Sequence, residues 1–153
     1  MKNQKGFSLI ELMTVIIIIG IMVGIAVPTI TRNLPYRRLL DGRSQVKSDL
    51  SLMRQRSLVE SRSFGIGLLA ASPDRYTLFE DLNDNGVFDA GTDRVITIRN
   101  LPTRINFVLA ANQAHAFLRT GILNSNSAAN IDLQNDKNQQ KTLTVMLSGI
   151  VVD

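Results

Sequence analysis

An α+β architecture, a long N-terminal helix packed on an antiparallel β-sheet domain, is predicted by three features of this sequence. An apolar run fills Phe7 to Ile30, and an amphipathic helical pattern follows from Leu39 to Ser61. Short alternating runs, separated by Gly, Pro, Asn and Asp, occupy the remainder. Helix first and strands afterwards, without alternation of the two, point to a helix laid on an antiparallel sheet rather than to parallel βαβ units.

The chain has 153 residues, enough for one modest domain beside one anchor. Its 44% hydrophobic and 20% charged residues look average only because the apolar ones crowd into the first part. Cysteine is absent, which excludes a disulfide framework, a thiol nucleophile and thiolate metal sites. The net charge of +4 is uneven: Arg32 to Arg62 holds eight basic residues against Asp41, Asp49 and Glu60.

From Leu12 to Val27 no residue is charged, and Thr14, Gly20 and Gly24 interrupt a run of Ile, Val, Leu and Met. As a helix extended back to Phe7, this segment spans a bilayer. The extension includes Glu11, whose ionised carboxylate carries a desolvation cost unless it snorkels or finds a partner. A plain signal anchor would place Glu11 at headgroup level. An ordinary cleaved secretory signal fits poorly, because the run is long for such a segment and no Ala-x-Ala-like site closes it. Pro28 should kink or break the helix, since its ring removes a backbone donor and crowds the preceding turn.

Met1-Lys2-Asn3-Gln4-Lys5-Gly6, followed by Phe7-Ser8-Leu9-Ile10-Glu11-Leu12, resembles the signal of type IV prepilins: a short basic leader ending in Gly, then Phe, a Glu four residues later and a long apolar helix. The resemblance implies that a prepilin peptidase cuts between Gly6 and Phe7 and that Phe7 becomes N-methylated. It also implies that the chain assembles with other pilin or pseudopilin subunits through this helix. In a packed bundle, Glu11 of one subunit could pair with the ammonium group at Phe7 of its neighbour, favouring correct axial register. Lys2 and Lys5 flank one end of the span and Arg32, Arg37, Arg38 and Arg43 the other, so charge alone does not orient it. A single-pass protein of the bacterial inner membrane with its C-terminal domain in the periplasm is what the resemblance implies.

In the body of the chain, Leu39, Val46, Leu50, Met53 and Ser57 recur at helical intervals, with Arg43, Lys47, Arg54 and Arg56 on other faces. Those basic residues read as a solvated face; lipid headgroups and nucleic acid are the other readings. No aromatic residue interleaves with them to form a base-stacking platform. Strand patterns follow at Phe64 to Leu68, Arg75 to Glu80, Arg94 to Ile98, Arg104 to Leu109, His115 to Arg119, Asn130 to Gln134 and Thr142 to Val152. Asn124 to Asn130 and Asn135 to Gln140 read as loops.

Asp81-Leu82-Asn83-Asp84-Asn85-Gly86-Val87-Phe88-Asp89 has the oxygen spacing of the front half of a calcium-binding loop. The twelfth position is Thr92, however, and Asp93 falls one residue late. A hairpin loop between Phe79 and Val95 explains the same residues. Asp81, Asn83, Asn85, Gly86, Asp89 and Gly91 also match, in order, a D-x-N-x-N-G-x-x-D-x-G stretch, so that this segment resembles the GspH/FimT branch of pseudopilins. Members of that branch often end in a strand with a Gly-Arg pair, linked in the FimT-like ones to DNA binding. Here the end is Ser148-Gly149-Ile150-Val151-Val152-Asp153, which argues against nucleic acid as a partner at that site. His115, the only histidine, has apolar neighbours and no nucleophile at a telling spacing, so no catalytic residue, cofactor or metal site is assigned and an enzyme is not expected.

These readings divide the chain into a cleaved leader (1–6), a membrane and assembly helix (7–30), an amphipathic continuation (31–62) and a β-rich periplasmic domain (63–153). The expected function is that of a minor pseudopilin, a structural subunit processed by prepilin peptidase and built into a type II secretion pseudopilus. The alternatives are a minor pilin of a type IV pilus and a DNA-uptake receptor of the FimT type.

Overall fold

The computed structural model describes Phe7 to Val152; the leader, with Gly6, lies outside the described residues. A single helix, α1 (Leu9–Glu60), occupies the first part. Its start is set by Ser8, whose carbonyl oxygen accepts from the amides of Glu11 (3.1 Å) and Leu12 (3.2 Å). It stops at Ser61, whose φ of 52° is the left-handed conformation that commonly closes a helix. A break at Pro28 does not occur, because α1 runs through both Pro28 and Pro35. One missing N–H removes one rung of the ladder, the one that would end at the Gly24 carbonyl, and the helix continues on the others.

Two compact units divide within this helix, at Leu34/Pro35. In the first, Leu9–Pro28 is a helical segment of 20 residues, long and apolar enough to cross a membrane, with none of its side chains buried. Ile16, Ile17, Ile18 and Ile19 all face outward. Such a surface is stable against lipid or other helices, not against water.

The second unit, Pro35 to Asp153, holds the core. Two antiparallel sheets contribute to it, where one had been expected. The first has the order β3-β2-β1-β5, formed by β1 (Ser63–Leu68), β2 (Arg75–Asp81), β3 (Arg94–Asn100) and β5 (Gln113–Phe117). The second has the order β4-β6-β7-β8, formed by β4 (Ile105–Phe107), β6 (Ala129–Asn135), β7 (Gln140–Val145) and β8 (Val151–Val152). The expected strand from Thr142 to Val152 is therefore two strands around a reversal. Gly149 stands at φ 78°, and its amide donates to the Met146 carbonyl at 2.8 Å. The run expected from Arg104 to Leu109 is also shorter, with only Ile105–Phe107 in β4; Arg104, at φ 68°, lies in the left-handed region and sets its start.

The helical stripe of Leu39, Val46, Leu50, Met53 and Ser57 is buried throughout. It meets Phe64, Ile66 and Leu68 of β1, Tyr76 and Leu78 of β2, and Ile131, Leu133, Leu143 and Val145 of the second sheet in one apolar cluster. Burial of that many apolar side chains is the main favourable term for the domain. Gly42 lets the helix approach closely, since a Cβ there would lie 3.2 Å from Pro102 and 3.4 Å from Ile105. On the other face of the first sheet, Phe88 returns from the β2–β3 connection to cover Gly67, and its ring centroid is 5.1 Å from that of Phe79.

One polar network crosses between helix and sheet. The Tyr76 hydroxyl donates to buried Asp49 Oδ2 at 2.6 Å and accepts from Gln45 Nε2 at 3.0 Å; Arg99 Nε lies 3.7 Å from the same carboxylate oxygen. Burial, and then the bond to Asp49, hold the phenol far above its ordinary pKa, so it remains a donor. Replacing Tyr76 by Phe removes that donor and leaves the buried carboxylate with the distant Arg99. A loss of about 1–3 kcal/mol is expected in urea unfolding at neutral pH. An unchanged unfolding midpoint would show that the network contributes nothing net.

Candidate functional site

Three segments singled out by the sequence lie in different places. The first is the start of α1. Phe7 and Glu11 are both exposed, and Glu11 stands in the first helical turn. Ser8 and Glu11 have the spacing of a capping box, a signal that was readable in the sequence and went unread. A carboxylate at this position also complements the positive end of the helix dipole.

The second is the loop between β2 and β3, which joins two strands paired in antiparallel register. Its acidic oxygens accept from the loop's own donors. Asp81 accepts from the amides of Gly86 (2.8 Å) and Asn85 (3.3 Å), and Asp93 from those of Leu82 (3.1 Å) and Asp89 (2.7 Å). Asp89 accepts from the side chain of Asn85 at 2.7 Å. Burial raises the Asp81 pKa, opposed by the two amide bonds. Asp93, one residue late for a calcium loop, is in register for closing this one. Asp84 faces outward from the cluster: it accepts from Ser63 Oγ and is ion-paired with Arg119, and the Ser63 bond first, then Arg119, lower its pKa.

The third is the C-terminal reversal. Arg54 of α1 donates from Nε to the Gly121 carbonyl (3.0 Å) and from Nη2 to the Ser148 carbonyl (3.0 Å), so this arginine of the expected basic face ties the helix to the last turn. Two further members are also engaged with the fold. Arg56 pairs with Glu60 at 2.7 Å and sits 4.7 Å above the Phe64 ring, while Arg62 pairs with buried Glu80 at 2.8 Å. Strand β8 presents valines, with Ile150 about half exposed before them.

His115 lies in β5 opposite Ile66 and is buried, with Nε2 lacking a hydrogen-bond partner. Burial pushes its pKa down to about 4. A neutral native imidazole and an unfolded one titrating near 6.5 mean that stability is fully present above about pH 6.5. It is lost as the pH falls towards 4, by about 3 kcal/mol at 1.36 kcal/mol per unit. Urea unfolding at pH 7 and pH 4.5 should show His115→Leu losing less stability between the two than wild type. Equal losses would mean that His115 is not the group responsible.

Residues 1–27 match the family described as the prokaryotic N-terminal methylation motif. The fold is similar to that of the type IV minor pilin FimU of Pseudomonas aeruginosa (strain PAO1), with a TM-score of 0.59 at 10% identity, covering 76% of this chain and 88% of that one. This is a pilin-like fold carrying a prepilin N-terminal motif. The minor pseudopilin EpsH from the type II secretion system of Vibrio cholerae is similar as well. Two of its structures give TM-scores of 0.53 at 14% identity, over 78% of this chain and 94% of that one, and 0.51 at 17% identity, over 74% and 92%. At these identities the comparison shows a fold shared with both kinds of protein.

Proposed function

We propose that the chain is a minor pseudopilin, a structural subunit that is cut by a prepilin peptidase between Gly6 and Phe7 and N-methylated at Phe7. Residues 7–30 hold it in the inner membrane until assembly, with residues 31–62 continuing the helix and the β-rich part of the chain in the periplasm. Glu11 then pairs with the Phe7 ammonium of a neighbouring subunit as the helices pack into a type II secretion pseudopilus. The observation that carries this reading is the joining of a methylation motif at residues 1–27 to a pilin-like domain in one chain.

Intact-mass and N-terminal analysis of the protein made with and without an active prepilin peptidase tests the central step. The expected product begins at N-methylated Phe7; recovery of the unprocessed Met1 form beside active peptidase would overturn the proposal. The second reading, a minor pilin of a type IV pilus, is favoured by the likeness to FimU. Deleting the gene separates the two, through loss of secreted protein in one case and loss of surface pili in the other. A FimT-type DNA receptor has less support, because the final strand carries no basic residue.

A further inference from the structure

Arginine in this domain is mostly engaged: Arg54, Arg56, Arg62, Arg94, Arg104 and Arg119 each hold a carboxylate or a carbonyl oxygen. Arg37 and Arg38 differ. Among the described residues neither forms an ion pair or a hydrogen bond; Arg37 is exposed and Arg38 half-buried. The first acidic residue after Glu11 is Asp41, one turn further along the helix, and among the described residues it forms no ion pair with either. Tyr36 precedes them, 40% exposed, and Lys141 of β7 places its Nζ 5.8 Å from the centre of the Tyr36 ring. A third cation therefore stands at the same level of the domain.

Successive helical residues are turned by about 100°, so Tyr36, Arg37 and Arg38 point in three directions around α1 rather than along one stripe. An elongated polyanion such as a DNA duplex is matched by a stripe of cations. Cations distributed around an axis at one level are matched by a charged layer that surrounds the helix. In the chain Tyr36, Arg37 and Arg38 follow the apolar segment that ends at Pro28, with only Thr29 to Pro35 between. Tyrosine beside arginine is also the composition that settles at the headgroup level of a bilayer.

We infer that Tyr36, Arg37, Arg38 and Lys141 form a collar that binds the phosphate groups of anionic phospholipids around the helix while the subunit waits in the membrane. The inference rests on the membrane-anchored part of the proposed function and not on which filament the subunit enters. It also accounts for the excess of arginine on the C-terminal side of the span. Those charges hold the domain to an anionic leaflet.

Native mass spectrometry of the full-length protein in an uncharged detergent tests it, with phosphatidylglycerol and phosphatidylcholine of equal chain length as probes. Wild type should retain phosphatidylglycerol at least tenfold better, and Arg37→Gln/Arg38→Gln should lower that ratio about tenfold. Circular dichroism shows that the variant is folded; if the double change impairs folding, Arg37→Gln alone, at an exposed position, should lower the ratio several-fold. Arg104→Gln removes one charge, as Arg37→Gln alone does, from a residue paired with Asp136 and should leave the ratio unchanged where Arg37→Gln lowers it. Equal retention of both lipids overturns the inference, as does an equal loss in Arg104→Gln, which would mark a net-charge effect. Displacement of phosphatidylglycerol by millimolar glycerol phosphate would assign the site to free phosphate, and displacement by a micromolar DNA duplex would assign it to nucleic acid; either outcome overturns a lipid collar.

Discussion

Valine at position 149 is expected to destabilise the pilin-like domain by about 3–5 kcal/mol, a large share of what holds a domain of this size. Gly149 has φ 78°, where a β-branched residue is strongly disfavoured, at about 1–3 kcal/mol. Its missing Cβ also makes room for the turn. A carbon there would collide with the Gly121 carbonyl oxygen and lie 2.7 Å from Arg54 Nε, the two groups that bond to one another across helix and turn. Overpacking of this kind adds about 1–3 kcal/mol. Thermal unfolding followed by circular dichroism should show the variant melting far below wild type or already unfolded. A Tm within a degree or two of wild type would mean that the turn relaxes freely and that Arg54 is not a fixed brace.

Glu11→Gln is expected to leave processing between Gly6 and Phe7 intact and to reduce incorporation into filaments by tenfold or more. Gln keeps the length and helix propensity of Glu, and the backbone bonds from Glu11 and Leu12 to the Ser8 carbonyl do not involve the side chain, so the helix start is retained and the charge is lost. In the proposed assembly that charge faces a neighbour's ammonium group in a medium of low dielectric. Removing one partner there leaves the other uncompensated, at a cost of about 3–5 kcal/mol. Filament fractions probed for wild type, Glu11→Gln and Glu11→Asp would decide the matter. If Gln incorporates as well as Glu, the residue serves the helix terminus and not the contact between subunits.

Much of the fold was readable from residue pattern. Burial of Leu39, Val46, Leu50, Met53 and Ser57 follows from their helical spacing alone, and the positions of β1, β2 and β3 follow from their strand-type runs and the turn residues between them. What escaped reading depends on contacts distant in sequence. The split into two sheets is decided by β4 pairing with β6 and β1 with β5, neither of which leaves a local signature. The strand expected over Thr142 to Val152 hid a reversal because Ser148-Gly149 sits between apolar residues on both sides, and only its φ distinguishes a turn from a weak strand. Asp49 gave a signal that went unread: a carboxylate in register with Val46 and Met53 lies on the buried stripe and must find a donor, which Tyr76 supplies. Of the N-terminal segment the motif was legible, since a Gly-Phe junction, a Glu and an apolar helix are local. Arg54 was read as part of a solvated basic face because nothing near it in the chain shows that its partners lie at Gly121 and Ser148.

The bond from Arg54 to Ser148 joins residues 94 positions apart. A contact of so long a range has to meet the loop-closure entropy before it returns any stability, so this brace closes late in folding, after the helix and the hairpins have formed. Changes at Arg54 should therefore act on the rate of unfolding more than on the rate of folding.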